Sequence, residues 1–343
     1  MPDIKDLNEN ELREILSGWG QRPYHARQIL SWIYKRGIAD FAAMSDIPED
    51  LRNKLKAAFY IRALKPVEKL SSRDGTEKFL FALNDGNLIE AVVIPAEGRV
   101  TACLSTQAGC KYACSFCASG LKGFKRNLTP GEILEELLYL RNSYKQAKIT
   151  HIVFMGTGEP LDNYDNVLKA IRVINSKEGF DIGARRITIS TCGIIPGIKK
   201  LAEEKLQVEL SISLHAADDK LRSRLMPVNK IYPLKELINA CRDYIEKTNR
   251  QVTFEYVLIK GLNSDLPNAE NLVKLLRGMR LVKVNLIPSN LIKECRVESP
   301  NKLEVLFFKN YLGKHGLNVT LRRSRGEDIN AACGQLRLKY EKK

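Results

Sequence analysis

Three cysteines fall within eight residues, in Cys110-Lys-Tyr-Ala-Cys114-Ser-Phe-Cys117. Three thiolates in one short loop can bind three corners of an iron–sulfur cube or three positions around zinc. A structural zinc site needs a fourth ligand at comparable local spacing. None is present: no histidine lies between residues 26 and 150, and the nearest other cysteine, Cys103, is seven residues upstream. A set short of one protein ligand is the arrangement of a catalytic metal, whose open position receives substrate or cofactor. A catalytic metal centre is therefore expected, with structural zinc as the alternative. The remaining cysteines are 103, 192, 241, 295 and 333, too sparse for a disulfide scaffold and in keeping with a reducing, cytoplasmic compartment.

Other polar residues recur where strands should end. Gly156-Thr157-Gly158-Glu159-Pro160 offers glycines that let backbone approach a ligand and a carboxylate that can accept from an ammonium. Ser190, Ser213-Leu214-His215 and Asn290 follow later strand candidates. Taken singly each is a solvated loop group. Together they make a ring of polar strand ends, which a purely structural barrel would not need.

The elements that must carry these residues change character along the chain. Leu12, Ile15 and Leu16, then Ile29, Leu30, Ile33 and Tyr34, then Leu51, Leu55 and Phe59 are spaced as three helices. Residues 79–83 and 88–94 alternate around Asn84-Asp85-Gly86-Asn87, as in a β-hairpin. From residue 99 the pattern is strand then helix, with strands expected at 100–104, 149–155, 186–190, 208–214, 252–259, 282–287 and 317–321. The clearest helix, 131–140, has Thr129 as cap, Pro130 in its first turn and Glu132 completing a capping box. Six or seven such units predict an α/β fold with a parallel sheet curled as a full or partial barrel. Residues 1–98 are expected to form a helical unit with the hairpin, residues 99–343 the barrel, and Lys339–Lys343 a frayed tail.

The chain of 343 residues has ordinary globular composition, 44% apolar and 28% charged, and no apolar run approaches a membrane span. Met1–Asp6 is acidic and polar, so no signal peptide is expected. The formal charge is +15. Residues 1–98 hold 14 basic and 15 acidic side chains and residues 99–343 hold 41 and 25, so the excess lies wholly in the segment with the clustered cysteines. Basic groups at Lys122/Lys125/Arg126, Arg185/Arg186, Lys199/Lys200 and Arg322/Arg323/Arg325 suit a polyanionic partner.

The Cys-x3-Cys-x2-Cys spacing, with Phe116 before the last cysteine, resembles the radical S-adenosylmethionine (SAM) superfamily. With Cys103, Arg325-Gly-Glu-Asp-Ile and Ala331-Ala-Cys333-Gly-Gln-Leu, the chain resembles the RlmN/Cfr family of RNA methyltransferases over nearly its full length, nearer the RlmN branch. The resemblance implies a partial (β/α) barrel of the radical SAM type. It implies a 4Fe–4S cluster on Cys110, Cys114 and Cys117, and SAM held by Gly158, Glu159, Pro160, Ser190, Ser213, Leu214, His215 and Asn290. The implied reaction is methylation of adenine carbon 2, at adenosine 2503 of 23S rRNA and adenosine 37 of some tRNAs, using two SAM molecules. One methylates Cys333. The other yields a 5′-deoxyadenosyl radical that abstracts hydrogen from the S-methyl group, and the resulting carbon radical adds to the base. Glu90 then accepts a proton, and Cys103 attacks the Cys333 sulfur, releasing RNA and leaving a disulfide. Implied partners are 23S rRNA before ribosome assembly is complete, tRNA, and an external electron donor such as flavodoxin or ferredoxin, with the protein a monomer. Cys192, Cys241 and Cys295 match no catalytic position and read as packing or surface residues. Pro160 is as in RlmN, whereas Cfr, which methylates carbon 8, carries Ala. The Leu-Ile-Lys-Glu-Cys-Arg after Asn290 lacks the proline-rich stretch common in RlmN. A carbon-8 enzyme and a non-catalytic, zinc-stabilised RNA-binding protein are the alternatives.

Overall fold

The computed structural model describes residues 1–289, 298–322, 325–329 and 335–341. The chain opens with helices α1 (Glu9–Gly18), α2 (His25–Tyr34) and α3 (Glu49–Ala58). Asn8 caps α1 with a full capping box, and Pro48 immediately precedes α3. Strands β1 (Lys65–Ser71), β2 (Glu77–Ala82), β3 (Leu88–Ala96) and β4 (Arg99–Cys103) follow as an antiparallel meander. The hairpin is as expected, but β1 precedes it. Its Lys65-Pro-Val-Glu-Lys-Leu-Ser has no apolar face to announce it, because it is an exposed edge strand with a register irregularity between Pro66 and Glu68.

A short ribbon of β5 (Gln107–Gly109) and β6 (Phe124–Asn127) brackets the three-cysteine loop and leads into α4 (Pro130–Ser143). Strands and helices then alternate: β7 (His151–Phe154), α5 (Tyr164–Asn175), β8 (Ile187–Thr191), α6 (Ile195–Glu203) and β9 (Glu209–Ser213). After α7 (Asp219–Leu225) and α8 (Leu234–Thr248) come β10 (Val252–Leu258), α9 (Leu266–Leu276), β11 (Val282–Pro288), α10 (Lys302–Lys314) and β12 (Asn318–Leu321). A last helix, α11 (Gln335–Glu341), occupies most of the stretch expected to fray. Its residues carry too few apolar positions to mark a helix in isolation, and packing against β3 and the 3-10 turn Ala118–Gly120 supplies what periodicity does not.

The sheet has ten strands in the order β1-β2-β3-β4-β7-β8-β9-β10-β11-β12, parallel from β4 onward. It therefore runs without a break through residue 98. Residues from β3 through β12 border one cavity, so the sheet curls into an open barrel.

Its two faces differ sharply. The helix-facing side is a continuous apolar layer that includes Ala102, Ile152, Phe154, Ile189, Ile212, Phe254 and Val284. Burying each large aliphatic or aromatic side chain there stabilises the fold by about 1.5–3 kcal/mol. The alternate positions face the lumen and are mostly polar: Thr101, Thr188, Ser211, Thr253, Glu255, Lys283 and Asn285. This lumen is an open, largely polar cavity and not a packed core.

The N-terminal helical unit is fastened to α4 by charge. Lys5 pairs with Glu135, Arg62 pairs with Glu132 at 2.5 Å, and the Gly131 N–H donates to Asp6 at 2.9 Å. Among the described residues, no helix is long and apolar enough to cross a membrane.

Candidate active site

Cys110, Cys114 and Cys117 all line one cleft of about 300 Å3 at the carboxyl ends of the parallel strands. The loop is shaped by its own backbone. Ala113 adopts a left-handed φ of 45°, and a Cβ on Gly120 would come within 2.9 Å of the Ala113 Cα. The Ser115 N–H donates to the Leu225 carbonyl at 2.9 Å, which moors the loop to the end of α7. Among the described residues, no three His, Cys, Asp or Glu side chains converge tightly enough to hold a single metal ion. A cubic cluster asks for a wider set, since each thiolate binds a different iron, and three half-buried thiols around one cleft fit that demand. Burial pushes the Cys110 thiol up to about 12 and raises Cys114 as well, so without a cation both stay protonated.

Gly158, Glu159, Ser190, Ser213 and His215 line the same cleft. Gly156 and Gly158 both line the cleft, and they also meet a packing need. A Cβ on Gly156 would meet the Leu104 carbonyl oxygen at 2.6 Å, and one on Gly158 the Gln107 Cβ at 2.6 Å. They let this loop lie flat on the β4–β5 connection. Gln107 then accepts from the Glu159 N–H at 2.8 Å. The buried Glu159 carboxylate takes N–H donors from Leu161 (3.0 Å) and Cys192 (2.7 Å), and burial raises its pKa despite these bonds. The Thr191 side chain and the Cys192 thiol also bond this carboxylate, so it is fixed in direction at the edge of the cleft.

His215 sits at φ 57°, with its ring edge-on to Phe116 at 4.7 Å. Its Nδ1 accepts from the Val257 N–H at 3.0 Å, so the neutral ring carries its proton on Nε2. Burial, helped by the Arg222 charge, lowers its pKa to about 3. Leu214, between the cleft residues Ser213 and His215, is itself fully buried in the apolar core, and Pro160 is buried at the start of a 3-10 turn. Asn290, Cys295, Arg323 and Cys333 lie outside the described residues.

Glu90 and Cys103 are brought together by strand register. Cys103 pairs with Val92 of β3, and Glu90 is two residues before Val92, so both side chains share the lumen face as diagonal neighbours about 7–8 Å apart at Cα. Both are buried. Ser105 ties this strand to the 156–160 loop: its hydroxyl donates to the Glu90 carbonyl at 2.7 Å and accepts from the Thr157 N–H at 2.9 Å.

Several organising residues carried no sequence signal. Cys192, expected as a packing or surface residue, lines the cleft, and its thiol donates to the Glu159 carboxylate. Arg222 is fully buried beneath the strand ends. It donates to the carbonyls of Cys192 (2.8 Å), Ser213 (3.1 Å) and Leu214 (3.1 Å), and to the Asn229 side-chain oxygen (2.8 Å). Cys241 is buried in α8. Among the basic clusters, Arg126 is consumed internally by Asp85 and Glu132, while Lys122 and Lys125 stay exposed beside the thiol loop.

Comparison with known proteins agrees with this geometry. Residues 104–273 match the model of the radical SAM superfamily, and residues 2–61 that of the ribosomal RNA large subunit methyltransferase N-terminal domain. The probable dual-specificity RNA methyltransferase RlmN of Thermoanaerobacter sp. (strain X514) is 48% identical over 343 residues, covering 100% of this chain and 99% of that protein. Its counterpart in Geobacillus thermodenitrificans is 46% identical, covering 100% of this chain and 94% of that protein. The crystal structure of a radical SAM methyltransferase from Sphaerobacter thermophilus superposes with a TM-score of 0.92 at 44% identity, covering 98% of this chain and 99% of that one. Three thiols on one cleft in an open barrel, an N-terminal domain of the rRNA methyltransferase type and full-length similarity place this chain in the RlmN family of radical SAM RNA methyltransferases.

Proposed function

We propose that the protein methylates carbon 2 of adenine in RNA, at adenosine 2503 of 23S rRNA and adenosine 37 of a subset of tRNAs. The observation that carries this reading is the convergence of three thiols with Gly158, Glu159, Ser190, Ser213 and His215 on one cleft, in a chain similar to RlmN along its whole length. In this reading Cys110, Cys114 and Cys117 hold a 4Fe–4S cluster, which when bound supplies the electron that cleaves SAM reductively. The Glu159 carboxylate and the neutral His215 Nε2–H orient SAM, and the edge of Phe116 helps exclude water from it.

The chain's own residues do the rest. Cys333 takes a methyl group from SAM by displacement at its thiolate and presents it to carbon 2, an electron-poor position that cannot attack SAM directly. Once the 5′-deoxyadenosyl radical has abstracted a hydrogen atom from that methyl and its carbon has bonded to carbon 2, the adduct loses one electron, which the cluster would take back, and Glu90 accepts the proton that leaves carbon 2. The Cys103 thiolate then attacks the Cys333 sulfur: an S–S bond forms, the carbon–sulfur bond breaks, and the freed carbon takes up a proton to become the product methyl. Cys103 on the same sheet face as Glu90 supports these two roles. Reaching carbon 2 requires the base to leave its stack.

The test is mass spectrometry of digested RNA after reaction with the anaerobically reconstituted protein. Formation of 2-methyladenosine, lost in Cys333→Ala, is expected. Methylation at carbon 8, or persistent 2-methyladenosine in that variant, overturns the reading.

A further inference from the structure

We propose that Lys78 and Arg337 are positioning residues that clamp Glu90 and lock the C-terminal helix to the thiol loop. This rests on the reading of Glu90 as proton acceptor. Lys78 is 0% exposed, Glu90 2% and Arg337 2%, which makes this one of the most deeply buried sets of charges in the molecule. The Lys78 Nζ lies 3.0 Å from Glu90 Oε2. The backbone N–H of Arg337 donates to Glu90 Oε1 at 2.5 Å. The Arg337 guanidinium reaches the other way and donates to the Ser119 carbonyl at 3.1 Å, two residues past Cys117. The two carboxylate oxygens are thus held from β2 and from α11, and α11 is held in turn by the turn that ends the thiol loop.

Register explains why a lysine stands at position 78. Lys78 pairs with Val92 on β3, and Val92 pairs with Cys103 on β4. Lys78, Val92 and Cys103 form one cross-strand row on the lumen face, with Glu90 in the adjoining row. Desolvating an ammonium, a guanidinium and a carboxylate costs several kcal/mol for each ion, and well-packed apolar residues would stabilise the fold as well or better. What these contacts provide is a carboxylate fixed in direction beside Cys103. Misplacing a reacting group by about 1 Å can cost a hundred-fold in rate. The clamp joins segments 247 residues apart (Glu90 and Arg337) and 218 apart (Ser119 and Arg337). It therefore sets acceptor, C-terminal helix and thiol loop relative to one another, which no single element can do.

The experiment uses the full-length protein reconstituted anaerobically with iron and sulfide, an RNA fragment containing the target adenosine, and Lys78→Met, Lys78→Arg, Arg337→Leu and Arg337→Lys. Iron content, 5′-deoxyadenosine, 2-methyladenosine and the covalent RNA–protein adduct on a denaturing gel are measured together. Lys78→Met and Arg337→Leu should keep their iron and still cleave SAM. Their ratio of 5′-deoxyadenosine to 2-methyladenosine should rise about ten-fold or more, with adduct accumulating because proton removal lags. Lys78→Arg and Arg337→Lys, which retain the charge, should stay within about three-fold of the native ratio. An unchanged ratio in the apolar variants, or loss of SAM cleavage in parallel with methylation, overturns the proposal. So does failure of the charge-retaining variants to preserve coupling, a test that stands even where the apolar variants do not fold. Glu90→Gln separates the two levels: if it methylates normally, the reading of Glu90 is wrong, whereas an inactive Glu90→Gln beside fully coupled Lys78 and Arg337 variants refutes the clamp alone.

Discussion

At the scale of single residues, the cleft depends on groups whose charge state is set by burial. His215 is held neutral, with a pKa near 3 against about 6.5 in an unfolded chain. Its imidazole NMR signals should therefore show no titration between about pH 5 and 8. A midpoint near 6.5 would contradict the buried Nδ1 acceptor. Because the folded pKa is depressed, the stability His215 contributes is full above about pH 6.5 and is lost as pH falls toward 3. Arg222 makes a different prediction. Arg222→Met would strip donors from the carbonyls of Cys192, Ser213 and Leu214, each unsatisfied group costing about 1–3 kcal/mol. A loss of at least about 3 kcal/mol in urea unfolding is expected, together with weaker SAM binding. A variant as stable as the native protein would show that water replaces the guanidinium.

At the scale of elements, α4 is the helix on which the site is hung. Its capping box, Thr129 with Glu132, was legible from the sequence because it spans only four residues. Glu136 on the same helix was not. It is fully buried, its Oε2 accepts from the Ser105 N–H at 3.0 Å, and burial raises its pKa well above the usual carboxylate range. The folded state then binds a proton that the unfolded state releases above about pH 4.3, so this group makes stability fall as pH rises. Glu136→Gln keeps an acceptor for Ser105 and removes that penalty. Its melting temperature relative to the native protein should climb between pH 4.5 and 8, and a pH-independent difference would show that Glu136 is ionised in the fold. The missed elements have physical reasons too. β1 is an exposed edge with little to bury, and α11 owes its place to Arg337, a buried charge that no hydrophobic periodicity reports.

At the scale of the whole molecule, the uneven charge becomes a statement about where RNA lies. The excess of basic side chains belongs to residues 99–343, and Lys122 and Lys125 are exposed beside the thiol loop. Arg126, Lys200 and Arg172 are engaged with Asp85 and Glu132, Asp165 and Glu204 respectively, and so contribute less to an external anion. RNA affinity should fall steeply with salt. Lys122→Ala with Lys125→Ala should reduce the slope of log K against log salt by about 1–2, measured by filter binding. An unchanged slope would move the RNA path off this edge of the barrel.

The sequence by itself determined whatever depends on residues close along the chain. The three-thiol loop, the α4 cap, the alternation of strand and helix and the polar strand ends are all set by spacings of a few residues, and covalent geometry guarantees their meaning. The tertiary structure decided which distant groups share a face. Glu90 and Cys103 are neighbours because β3 and β4 pair in one register, and a slip of one residue would turn either side chain to the opposite face. The packing need behind Gly156 and Gly158, the cleft position of Cys192, the carbonyl-gathering role of Arg222 and the Lys78–Glu90–Arg337 contact likewise arise only when loops and strands meet. Such contacts join residues tens to hundreds of positions apart, and their energies depend on burial and direction, which a linear pattern of residue types does not encode.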